Sequence, residues 1–201
     1  MDRRFAVIIA VCLMETIFRF FSASIPVDGI VYTLAARLAE IAVILVFAFK
    51  LCGVETATPV KEAAIGLTAA AAFGIIVFGA DLVSRFFLEG GLLGLMLAKQ
   101  PLDGWPLFLI TGCIIGPFAE ELFFRGLLYA WMRQRLPAVI CIILTSLLFA
   151  SMHSGISVIQ LTGGIVFASL YEWRKSIWAP FMVHMIANIG IWIIPYLHPL
   201  M

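Results

Sequence analysis

Four polar side chains, Glu120, His153, His184 and Asn188, have the types and spacing to hydrolyse an amide. Such hydrolysis needs an activated water and donors aimed at the oxyanion of the transition state. Glu120 with His153 could polarise and deprotonate the water. His184 and Asn188 stand one helical turn apart, so they share a face and could donate to the tetrahedral oxygen. Phe149 precedes His153 by the same spacing. Nothing in this scheme requires a nucleophilic side chain. Ser151 and Ser154 flank His153, but no strained Gly-x-Ser-x-Gly turn surrounds them, which leaves a serine route weakly supported. Zinc is the alternative, because glutamate and histidine are good ligands for it. Against zinc, the His-Glu-x-x-His pattern is absent, and neutral Asn188 in register with His184 suits donation better than ligation. No metal or other cofactor is therefore expected.

Ionisable groups inside a bilayer cost several kcal/mol each, so they are paired or functional. Helix neighbours three or four residues apart face one another. By that rule Glu15 pairs with Arg19, Glu40 with Arg37, Asp81 with Arg85 and Glu121 with Arg125. Glu120 lies about 100° around the helix from Glu121 and has Phe123 and Phe124 as its own neighbours. The four pairs are expected to be structural, and Glu120 to be the carboxylate left for chemistry. A single histidine in a span is more often a hydrogen bond between helices than a catalyst. Two of them, with an asparagine in register and an unpaired glutamate, favour chemistry. His198, in the tail, carries no expectation.

The elements that must position these groups are membrane helices. Of 201 residues, 63% are hydrophobic and 12% charged, with a mean hydropathy of +1.10. One soluble core cannot hide that much apolar surface, so lipid is the solvent. A net charge of +1 gives no basis for nucleic acid or an acidic partner. Cys12, Cys52, Cys113 and Cys141 show no ligand spacing and are expected as small buried hydrophobes.

Apolar runs predict spans near 5–24, 31–50, 62–80, 105–135, 137–153, 156–173 and 176–195, an all-α polytopic bundle of six to eight helices. The run 105–135 is long for one span, and Gly116-Pro117 predicts a kink or a half-helix followed by a full one. Residues 81–104 are charged enough to read as an interfacial or re-entrant connection. The basic start resembles a signal peptide, but Glu15 and Arg19 interrupt the apolar stretch, so a retained first helix is expected. Glycines at Gly90/Gly94 and Gly112/Gly116 could let helices pack closely within the bundle. Residues Arg3, Arg4, Lys50, Lys61, Arg133, Arg135, Arg174 and Lys175 alternate onto one side, which predicts a cytoplasmic N-terminus. Counting about 1.5 Å per residue from that side sets Glu120, His153 and Asn188 in the outer half of the bilayer and His184 shallower. One integral membrane domain over 1–201 is expected, with helices of unassigned role in 1–104 and the chemistry in 105–201.

At these residues the sequence resembles the CAAX protease and bacteriocin-processing family of glutamate intramembrane proteases, prokaryotic branch. That family is marked by Glu-Glu-x-x-x-Arg, then Phe-x-x-x-His, then His-x-x-x-Asn. Here they read Glu120-Glu121-Leu122-Phe123-Phe124-Arg125, Phe149-Ala150-Ser151-Met152-His153 and His184-Met185-Ile186-Ala187-Asn188, in order and in three helices. The resemblance covers 105–201. It implies that Glu120 and His153 activate water, that His184 and Asn188 form the oxyanion hole, and that Glu121, Arg125 and Phe149 support them. It also implies an endopeptidase of the prokaryotic cytoplasmic membrane. The substrate would be a membrane-associated protein or peptide, such as one with a C-terminal sorting anchor or a CAAX-like tail. Two other readings stay open. One is a proton-coupled transporter or channel using Glu120, His153 and His184 as a relay, and the other a non-enzymatic immunity or scaffold protein.

Overall fold

The sequence caps its own helices. Asp2 accepts from the Arg4 backbone N–H at 3.0 Å and Asp28 from that of Ile30 at 2.8 Å, satisfying donors that every helix start leaves open. In the computed structural model, which describes residues 2–22, 24–52, 58–88, 91–97, 104–153 and 158–197, these caps open the first two of eight helices. They are α1 (Arg3–Phe21), α2 (Gly29–Ala48, extended by a 3-10 turn at Phe49–Leu51), α3 (Pro59–Ser84) and α4 (Gly91–Met96). Then follow α5 (Trp105–Met132), α6 (Ala138–Ser151), α7 (Val158–Arg174) and α8 (Trp178–Leu197). No strand occurs among the described residues. Four helices, α2 with its extension, α3, α5 and α8, are long and apolar enough to cross a bilayer. Large apolar side chains such as Val46, Ile75 and Phe86 point outward, as an integral membrane protein requires.

One apolar cluster joins both halves of the chain. Val7 and Val11 of α1, Ile44 of α2 and Ala70 of α3 pack with Leu122 and Leu127 of α5, Phe149 of α6, Phe167 of α7 and Val183 of α8. Close backbone contact comes from glycines outside the expected pairs. A Cβ on Gly66 would lie 2.5 Å from the Ala179 carbonyl oxygen, and one on Gly164 would lie 3.0 Å from Ser146. Gly112 and Gly116 instead face atoms of their own helix, Gly94 faces open space, and Gly90 lies outside the described residues.

The helix expected to kink or break at Gly116-Pro117 continues through it as one helical run. Two π-helical stretches, Leu109–Ile115 and Leu122–Tyr129, flank a short α segment, Gly116–Glu121, that carries both glutamates. The Gly116 N–H donates five residues back, to the Thr111 carbonyl. That wider turn gives the Pro117 ring the room that an α turn denies it, and proline has no N–H to place.

Residues 81–104 depart from a simple connection. Helix α3 runs on through Asp81, whose carboxylate accepts from Arg85 at 2.8 Å and from the Leu93 N–H at 2.8 Å, folding α4 back against α3. Gly91 makes the turn with φ +72°, where a Cβ would meet Asp81 Oδ1 at 2.6 Å.

The basic residues do gather on one face. Arg135 pairs with Asp2 at 3.2 Å, Arg4 donates to the Leu51 carbonyl at 3.1 Å, Arg174 pairs with Glu62 at 2.6 Å and Arg133 with Glu172 at 3.2 Å. The starts of α1 and α3 and the ends of α2, α5 and α7 therefore lie together. The Arg4 backbone N–H and the Arg135 guanidinium hold the Asp2 carboxyl below the usual carboxylate range.

Candidate active site

Consecutive residues on a helix point about 100° apart, and α5 uses that offset to send its two glutamates to different neighbours. Glu120 faces a cavity of about 120 Å³ between α5, α6 and the α1–α2 pair. His153, just past the end of α6, lines the same cavity with Phe123, Phe124 and Met152. Cys12, Glu15 and Arg19 of α1 and Arg37 and Glu40 of α2 complete it. The space is large enough for several waters.

All four expected ion pairs form within their own helices, at 3.0 Å for Glu15–Arg19, 2.6 Å for Glu40–Arg37, 2.8 Å for Asp81–Arg85 and 2.9 Å for Glu121–Arg125. Glu120, however, is not unpartnered. Its Oε1 lies 3.9 Å from Arg37 Nη2, and its Oε2 lies 3.7 Å from His184 Nε2. Counting neighbours along one helix could not find either contact, because both come from other helices. Arg37 therefore faces three carboxylates at once: Glu40, Glu15 at 3.5 Å and Glu120.

His153 Nδ1 lies 2.9 Å from the Phe149 carbonyl oxygen. A carbonyl only accepts, so Nδ1 carries the proton in that bond and a neutral ring keeps its lone pair on Nε2. The Phe149 ring stands between the two histidines, 4.8 Å from His153 and 5.6 Å from His184 by centroids. The Arg125 guanidinium lies 5.0 Å from the same ring.

Glu121 turns into the bundle. Its Oε1 accepts from Arg125 Nη1 at 2.9 Å and lies 2.9 Å from His184 Nδ1, while Arg125 Nη2 donates to the Gly164 carbonyl at 3.1 Å. All three side chains are buried. The Phe167 ring stacks on His184 at 4.5 Å. His184 thus bridges the two glutamates, and the shallower depth counted for it does not separate it from Glu120.

Asn188, one turn after His184 in α8, makes a different contact. Its Nδ2 donates to the Gly112 carbonyl at 2.8 Å, which leaves one N–H and the amide oxygen for other partners. Neither His184 nor Asn188 borders the cavity.

One expectation needs correcting here. Cys12 is exposed on the cavity wall, whereas Cys52, Cys113 and Cys141 are buried as expected. The helices of 1–104, whose role the sequence left unassigned, supply one wall of the cavity through α1 and α2. The signal for this was the spacing Cys12, Glu15, Arg19, which puts polar groups on one stripe of an otherwise apolar helix. Among the described residues, no three His, Cys, Asp or Glu side chains are arranged to hold a metal ion.

Residues 102–190, which contain every candidate position from Glu120 to Asn188, match the family described as type II CAAX prenyl endopeptidase Rce1-like. The chain is 31% identical over 102 residues to MroQ of Staphylococcus aureus, named a membrane-embedded CAAX protease, covering 47% of this chain and 41% of that protein. It is 29% identical over 85 residues to YdiL of Bacillus subtilis, named provisionally as a membrane peptidase, covering 41% of this chain and 35% of that protein. The matches thus span well under half the length of these curated relatives. No solved structure matches the chain.

Proposed function

We propose that the chain, which through residues 102–190 matches the Rce1-like CAAX endopeptidase family, is a member of the CAAX protease and bacteriocin-processing family and a glutamate-dependent intramembrane endopeptidase. Its substrate is a membrane-associated protein, cut near a C-terminal anchor or a CAAX-like tail. The observation that carries the reading is the division of the two glutamates. Glu120 shares a water-sized polar cavity with His153, while Glu121 is tied to Arg125 and His184.

In the proposed reaction a cavity water attacks the peptide carbonyl carbon while Glu120 takes its proton. The lone pair on His153 Nε2 orients that water by accepting its other hydrogen. The carbonyl oxygen becomes an oxyanion and receives hydrogen bonds from His184 Nε2–H and the uncommitted N–H of Asn188. The Nδ1 edge of His184 faces Glu121 Oε1 at 2.9 Å, which leaves Nε2 as the edge that meets the oxyanion. Collapse of the tetrahedral intermediate breaks the C–N bond. The proton held by Glu120 passes to the leaving amine, giving a new carboxyl end and a new amino end. Glu121 and Arg125 fix the His184 ring, and Phe149 spaces the two histidines.

The test is a survey of peptide termini in whole membranes, comparing wild type with Glu120→Gln after equal accumulation has been verified. A defined set of termini should vanish in the variant. An unchanged set under conditions of expression would overturn the peptidase reading in favour of a relay or a scaffold.

A further inference from the structure

We propose that Arg37 and Arg19, both outside the stretch that matches the family, are positioning residues for the water-activating pair. Arg37 sets Glu120, Arg19 sets the turn that carries His153, and Glu15 ties the two arginines together. The proposal rests on the peptidase reading of Glu120 and His153.

A guanidinium is a rigid planar fork, so fixing one edge aims the other. Arg37 Nη1 is held by Glu40 Oε2 at 2.6 Å and faces Glu15 Oε2 at 3.5 Å, which turns the Nη2 edge toward Glu120 Oε1 at 3.9 Å. The other oxygen of Glu15 accepts from Arg19 Nε at 3.0 Å. Arg19 then crosses to α6, where its Nη2 donates to the Met152 carbonyl at 2.9 Å. That carbonyl belongs to the last turn of α6, where helix geometry leaves oxygens without partners. The same turn holds His153, through its backbone N–H to the Ala150 carbonyl at 3.3 Å and its ring to the Phe149 carbonyl at 2.9 Å. A continuous polar path therefore runs from Glu120 through Arg37, Glu15 and Arg19 to the residue before His153.

Charge neutralisation inside the membrane would be met by pairs closed within each helix, and Glu15–Arg19 and Glu40–Arg37 already meet it. It does not explain why Arg37 also reaches a carboxylate of α5. Nor does it explain Arg19, whose side chain is 57% exposed yet spans to a main-chain oxygen on α6. Water activation does explain both, because the base and its partner sit on different helices and small displacements between them are costly to turnover.

The experiment uses the purified full-length chain in detergent and a peptide spanning the cleavage site mapped by comparing wild-type and Glu120→Gln membranes. Arg37→Gln should lower kcat by roughly 10- to 100-fold with KM within about twofold, since it disturbs the geometry of reaction rather than binding. Arg37→Lys should recover only part of the loss, because one ammonium cannot reproduce the fork. If Arg37→Gln does not accumulate, Arg37→Lys carries the same comparison against wild type. Arg19→Gln should also lower kcat at constant KM. Effects confined to KM, or unchanged kinetics in both variants, overturn the proposal.

A second readout needs no substrate. The chain has three histidines, so ring signals of histidine-labelled protein are few enough to assign by mutation. Arg19→Gln should displace the His153 ring signals and leave those of His184 in place. An unmoved His153 overturns the role of Arg19. If Glu120→Gln loses no activity, the peptidase reading fails and takes the catalytic part of the proposal with it, while the ring signals still decide whether α1 holds His153.

Discussion

Asn188 Nδ2 donates to the Gly112 carbonyl at 2.8 Å, and Pro117 is the reason that oxygen is available. The Gly116 N–H reaches Thr111, so continuing the π register by one residue would bond position 117 to Gly112. Proline has no N–H, and the side chain of Asn188 takes its place. Pro117→Ala supplies the missing donor and should release Asn188. Turnover is expected to fall by roughly 10-fold, with stability changed by no more than about 1–2 kcal/mol, because proline inside a helix carries its own cost. Kinetics alongside thermal unfolding in detergent check this. Unchanged turnover would mean that Asn188 does not depend on Gly112.

The two adjacent glutamates should fail in different ways. Glu121 and Arg125 are wholly buried, and Glu121 Oε1 serves both Arg125 and His184, while Glu121 Oε2 and Arg125 Nε have no hydrogen-bond partner among the described residues. Breaking a buried pair by removing one charge costs about 3–5 kcal/mol. Glu121→Gln should therefore lower the unfolding temperature and the amount in the membrane. Glu120→Gln, at the cavity wall, should accumulate like wild type and lose cleavage. Equal accumulation of both variants would contradict this division.

Much of this division was readable from helix periodicity. Spacing alone placed the four intrahelical pairs and separated Glu120 from Glu121, because neighbours three or four apart are fixed by the turn itself. It failed where partners come from elsewhere in the chain: Arg37 against Glu120, Arg19 against Met152, His184 between two carboxylates. Continuity of α5 through Pro117 was hidden for a related reason. Whether a proline breaks a helix depends on whether the preceding turn can widen, and the widened turn at Leu109–Ile115 is no property of the Gly-Pro pair.

Cleavage should survive metal chelation. In the proposed reaction the water is activated by Glu120 and His153, and the oxyanion is met by N–H donors, so no Lewis acid is required. Purified protein treated with 1,10-phenanthroline should retain its rate and contain well under one zinc per chain. Loss of activity restored by added zinc would replace this scheme with a metal-bound water.

The face where Asp2 meets Arg135 and Glu62 meets Arg174 is expected to be cytoplasmic. Loops retaining lysine and arginine stay on the cytoplasmic side because moving them across the bilayer is disfavoured during insertion. The contacts on this face gather that charge from five helix ends, so one orientation must satisfy all of them together. Variants carrying Lys61→Cys or Lys175→Cys, made in a background where Cys12 is serine, should resist a membrane-impermeant thiol reagent added to intact cells. They should react once the cells are opened. Labelling in intact cells would invert the topology and put the opposite ends of α1, α3, α5 and α7 in the cytoplasm.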